Sequence, residues 1–163
     1  MTCIESIQGS LDPTGQVALQ FRLLDVKNIE SGILGLGRTD PFLELQKKNV
    51  DPDVGMIQWI VAHRTEHVNN NLNPVFGEFQ MSVENLCYCD EEWLLRLVVK
   101  DYQKNGKHRQ LGILETSLRD LREKISKGGN ADRDSALPVM VEGGKETTVG
   151  LVIVLKADDV KES

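Results

Sequence analysis

The residues with the greatest chemical capacity here are three cysteines, three histidines and a scatter of carboxylates, and none falls into a catalytic spacing. Cys87-Tyr88-Cys89 would point both thiols to one face of a strand, which suits metal capture. No second ligand pair of zinc-like spacing accompanies it, so packed or edge thiols are expected. His63, His67 and His108 have no sequence context that marks a nucleophile partner. There is no glycine-rich phosphate loop ending in lysine, no Gly-x-Ser-x-Gly and no His-Glu-x-x-His. Asp51, Asp53, Asp90, Glu91 and Glu92 read as loop solvation. The sequence predicts a non-enzymatic protein.

Two loops hold a different chemistry. Residues 25–40 contain three glycines around an apolar cluster, Ile33, Leu34 and Leu36, followed by Arg38. Residues 101–109 carry Lys104, Lys107 and Arg109 against the single aspartate Asp101, around the turn signal Asn105-Gly106. Apolar side chains next to basic ones suit the interface of an anionic membrane. Lys47, Lys48, His63, Arg64 and His67 form a second basic set on adjacent predicted strands. Glu44 and Glu66 are interspersed there, so a solvated strand face is the simpler reading.

Composition limits the class of molecule. At 163 residues the chain has length for one core, and 40% hydrophobic content is ordinary for a folded domain. A net charge of −6 argues against general nucleic-acid binding. No apolar run approaches the roughly 18 to 20 residues that cross a bilayer, and the N-terminus lacks the basic-then-apolar pattern of a secretory signal. The expectation is a cytoplasmic protein, peripheral to membranes, with reduced thiols.

The loops must be held by strands. Val17, Leu19, Phe21 and Leu23 alternate through 16–24 as in a half-buried strand. Further strands are predicted over 41–45, 56–68, 75–83, 93–100, 111–114, 137–141 and 148–156. Ser117 is placed to cap a helix over 118–125, with Leu118, Leu121 and Ile125 on one stripe. Residues 126–134 read as a flexible loop. The expected fold is all-β: an eight-stranded antiparallel sandwich with one short helix in a late loop. Its predicted organisation is an N-terminal segment 1–15, a domain 16–156 and a charged, frayed tail 157–163.

Four runs in order go beyond generic β structure: Gly37-Arg38-Thr39-Asp40-Pro41-Phe42-Leu43, His63-Arg64-Thr65-Glu66, Asn71-Leu72-Asn73-Pro74-Val75-Phe76, and Lys100-Asp101-Tyr102 with Asn105-Gly106-Lys107-His108 and Leu111-Gly112. Together they resemble C2 domains, and most of all the second C2 domain of copines. The von Willebrand A-like half of copines, with its Asp-x-Ser-x-Ser motif, has no counterpart here, so a lone domain or a fragment is expected.

The resemblance implies a sandwich whose loops at one end bind calcium and then acidic phospholipid. Calcium takes six to eight oxygens, and the family supplies five aspartates. The matching positions here hold Leu34, Asp40, Asp101, Gln103 and Arg109. Leu34 offers no oxygen, and a guanidinium about 5 Å away would repel a divalent ion by roughly 6 kcal/mol at an effective dielectric near 20. Asp40 and Asp101 are therefore at most residual calcium positions, and the expected cofactor is none or weak calcium. Docking of an acidic phospholipid surface would then fall to Ile33, Leu34, Leu36, Arg38, Lys104, Lys107 and Arg109, with Arg109 reaching toward the two aspartates in place of the ion. The alternative is a protein–protein interaction module without lipid binding.

Overall fold

The structure, a computed structural model, describes residues 10–28, 39–143 and 147–161. Eight strands form one curled antiparallel sheet in the order β3-β2-β5-β6-β7-β8-β1-β4. They are β1 (Gln16–Leu24), β2 (Pro41–Val50), β3 (Ile57–Arg64), β4 (Phe79–Ser82), β5 (Leu95–Asp101), β6 (Arg109–Thr116), β7 (Leu137–Met140) and β8 (Thr148–Asp159). A single residue pair, Ile113 with Met140, joins β6 to β7. The sheet folds over at that narrow seam into two four-stranded layers. The last strand lies between the first strand and β7.

The two inner faces supply the core. Val17, Leu19, Phe21 and Leu23 of β1 are all buried, as their alternation requires. Leu95, Leu97 and Val99 of β5 face them with Leu43 and Leu45 of β2. The period of two continues one step past Val99, so Asp101 also points inward, and it is completely buried. Gly112 of β6 sits where the layers come closest. A Cβ there would fall 2.6 Å from Val149 Cγ2 and 2.7 Å from the Met140 carbonyl.

Several expected bounds move. β2 runs on to Val50 because Lys47, Lys48 and Asn49 pair with Ile60, Trp59 and Gln58 across a polar hairpin. The strand expected over 75–83 shrinks to 79–82 and gives way to a helix α1 (Val83–Cys87), so the late helix is not the only one. The Ser82 hydroxyl caps α1 by accepting the Asn85 N–H. The late helix α2 (Leu118–Glu123) is capped by Ser117, as its sequence predicts. The loop expected over 126–134 contains a 3₁₀ helix, Gly129–Ser135. The tail does not fray at Ala157: that residue is buried and pairs with Leu19, and Asp158 and Asp159 continue the ladder on β1. At the other end Leu11 donates its N–H to the Cys89 carbonyl at 2.7 Å.

The thiols also depart from expectation. Cys87 is free and buried inside α1, and burial pushes its thiol up to about 11. Cys89 is held in a disulfide, so the expectation of fully reduced thiols does not hold.

Candidate loop site

Asp101 organises the end of the sandwich where β2, β5 and β6 meet. In the ladder it stands between Pro41 on one side and Arg109 on the other. Proline has no N–H to give, but its neighbour Asp40 donates its backbone N–H to Asp101 Oδ1 at 2.9 Å. Asp101 Oδ2 accepts Arg109 Nη2 at 3.0 Å and Gln103 Nε2 at 3.0 Å. An aspartate directly opposite an arginine on paired strands is a favourable cross-strand pair. Here it is also the neutralisation that a fully buried carboxylate requires. Arg109 itself stays about half exposed.

Asp40 is used differently. Its Oδ1 accepts the N–H of Asn70 at 2.7 Å, and its carbonyl accepts the N–H of Tyr102 at 2.9 Å. Asp40 thus ties the 65–73 loop to the start of β2 and to the 102–108 loop. Next to it the buried Thr39 donates its hydroxyl to the Lys27 carbonyl at 3.2 Å.

The 102–108 loop is a tight turn. Gly106, at φ +81°, donates its N–H to the Gln103 carbonyl. The Gln103 N–H is accepted by Nδ1 of His108 at 2.9 Å, which places that imidazole's proton on Nε2. Tyr102 stacks on His67 at 3.8 Å between centroids and lies 5.0 Å from His108. Phe42 meets His108 edge-on at 5.0 Å. With Arg64, Thr65 and Glu66 these rings line a small cavity of about 120 Å³. Lys104 and Lys107 are exposed at the tip of the turn.

The remaining runs singled out in the sequence prove to be loop fasteners. Thr65 accepts the Leu43 N–H at 2.9 Å, and Glu66 Oε1 accepts the Gly77 N–H at 2.9 Å. Asn73 accepts the N–H of Asp25, a residue held at φ +56°. On the outer face of β2 the buried Glu44 carries an ion pair to Arg64 and another to Lys100 Nζ at 3.1 Å. Burial alone would raise the Glu44 carboxyl, but hydrogen bonds from Gln46, Lys100 and Arg64 outweigh it and hold the group below its ordinary value. Of the second basic set, Lys47 donates to the Asn85 carbonyl at 2.7 Å, and His63 stacks on Phe79 at 3.6 Å. Burial holds His63 below its usual value. The set is therefore dispersed: Lys47 and His63 turn toward the layer interface, whereas Arg64 lies on the outer face.

The structure brings together Asp40, Asp101, Gln103 and Arg109 of the expected site residues. Ile33, Leu34, Leu36 and Arg38 lie outside the described residues. Sequence reasoning missed Asn70 and the stacking of His67 on Tyr102, contacts that run between loops distant in the chain and leave no periodic signal.

The sequence model of the C2 domain matches residues 17–132. This chain belongs to the C2 domain family. Among solved structures, the C2 domain described as BON1-C2B is 22% identical, with a TM-score of 0.69 over 97% of this chain and 100% of that one. A C2 domain of plant Extended Synaptotagmin 1, the one lettered A in that protein, is 20% identical, with a TM-score of 0.51 over 89% of this chain and 97% of that one. These likenesses speak to the C2 fold.

C2 domains often bind calcium, and the described residues at this tip do not suit it. Among the described residues no group of three or more histidine, cysteine, aspartate or glutamate side chains gathers as a metal site. Both Asp101 oxygens already accept hydrogen bonds, one of them from a guanidinium that cannot shed its proton. Among the described residues no helix is long and apolar enough to cross a membrane.

Proposed function

We propose that this C2 domain is a copine-like module that docks acidic phospholipid surfaces, acts by binding without catalysis, and needs little or no calcium. The observation that carries this reading is the Asp101–Arg109 pair, which sets a permanent cation where the family places a dissociable one. Lys104 and Lys107, exposed on the same turn, extend the positive charge toward a membrane. In this reading Ile33, Leu34, Leu36 and Arg38 of the neighbouring loop complete the contact, and the protein works at the cytoplasmic face, peripheral to the bilayer. The copine likeness rests on the four sequence runs, above all His63-Arg64-Thr65-Glu66 and Leu72-Asn73-Pro74.

The test is co-sedimentation with vesicles of phosphatidylcholine alone or with phosphatidylserine added. Binding should require phosphatidylserine and weaken as salt is raised, because it rests on few exposed charges. Lys104→Glu with Lys107→Glu should weaken it at least about tenfold while the melting temperature holds. Binding to neither vesicle, or binding indifferent to that double substitution, would remove the proposal.

A further inference from the structure

β3 is an edge strand protected only toward its end, by a bulge at Ala62 and the charge of Arg64, and open over Ile57–Val61 among the described residues. It ends the sheet and pairs only with β2, so one row of its backbone N–H and C=O groups faces outward among the described residues. Natural edges are blunted by proline, lysine or short length. β3 has eight residues and contains neither proline nor lysine. The opposite edge, β4, has only four. At one end the seam between these edges is closed by His63 stacked on Phe79. Among the described residues no such ring contact covers Ile57–Val61.

That open half is also where apolar surface gathers. Among the described residues every exposed large hydrophobic except Val75 lies between Val50 and Val61, and Ile57, Ile60 and Val61 are 57%, 39% and 46% exposed. Cations flank the strip. Lys47 and Lys48 stand opposite Ile60 and Trp59 on β2, and the Arg96 guanidinium lies 4.4 Å from the Trp59 ring centroid. Among the described residues no carboxylate comes within ion-pair distance of Lys48 or Arg96. The nearby Asp51 is occupied in its own turn, accepting the N–H groups of Asp53 and Val54.

We infer that β3 accepts an extended segment of a partner protein as an added strand, one rich in β-branched residues and interspersed with acidic ones. Charge selects this occupant. A second copy would bring Lys48 and Arg96 against their own duplicates on a molecule of net charge −6. A lipid surface has no N–H or C=O row with which to satisfy the strand edge. An acidic extended segment supplies both the ladder and the counter-charge.

The probe is a synthetic decapeptide alternating valine and glutamate, with a version carrying a central proline as control. Hydrogen exchange should show amides of residues 57–61 slowed about tenfold or more by the first peptide and unchanged by the second. Ile57→Glu with Val61→Glu should weaken peptide binding at least about tenfold, by like-charge repulsion and lost apolar contact; both side chains are exposed, so the melting temperature should stay within a few degrees. Lys48→Glu should weaken it severalfold without altering the edge. The inference is overturned by absent protection or by equal protection from the proline peptide. It is equally overturned if residues 57–61 are protected by dimerisation of the chain alone or by phosphatidylserine vesicles.

Discussion

Removing the arginine at the loop site tests the structure where its physics is most demanding. Arg109→Ala takes the guanidinium from the fully buried Asp101, whose described contacts to the Asp40 N–H and the Gln103 amide remain. Breaking a buried pair by removing one partner costs about 3–5 kcal/mol. Arg109 is about half exposed, and solvent screens an exposed cation strongly, so the expected loss falls to about 1–3 kcal/mol. For a domain of this size that lowers the melting temperature by roughly 3–10 °C. The assay is a thermal melt of the wild type, Arg109→Ala, Asp101→Asn and the double variant. In the Asp101→Asn background the arginine substitution should cost less than about 0.5 kcal/mol, since the charge it neutralises is gone. Equal losses in the two backgrounds would refute the pairing argument, as would an Arg109→Ala melt indistinguishable from wild type.

Other outcomes follow from the same contacts. Gly112→Ala should destabilise by about 1–3 kcal/mol, because its Cβ would overlap Val149 and the Met140 carbonyl; a chemical-denaturation midpoint checks it. Glu44 has a folded value below its unfolded value near 4.5, so its stabilisation is present above that pH and lost as pH falls through the folded value. Glu44→Gln should therefore flatten the acid limb of a stability-versus-pH curve, and an unchanged limb would contradict the assignment. Cys87, buried with its thiol pushed up to about 11, should react with iodoacetamide in mild alkali at least about a hundredfold more slowly in the native protein than after denaturation.

What could be read from the sequence depended on whether a signal was local. The alternation of β1 stood out because its inner residues are all apolar, so pattern and burial coincide. Ser82, read as part of a strand over 75–83, instead caps α1. The end of β2 was expected at Leu45, although partner residues in β3 extend the ladder through Val50. Asp101 is instructive: the spacing Leu95, Leu97, Val99, Asp101 already placed it inward, once the strand is taken one residue further than expected. The resemblance gave the expectation of lost calcium ligands residue by residue, and of those positions the structure describes Asp40, Asp101, Gln103 and Arg109. The role of Asn70 in holding Asp40 was not, since thirty residues of chain separate them. Nor did composition foretell that Cys89 would be oxidised.

The central claim is that Arg109 has taken over the place of a dissociable cation at a membrane-docking tip. Co-sedimentation with phosphatidylserine vesicles, in millimolar calcium and then in excess chelator, tests it most directly. The expected result is the same bound fraction in both conditions, falling only when salt is raised. Binding that appears with calcium and vanishes with chelator would contradict it.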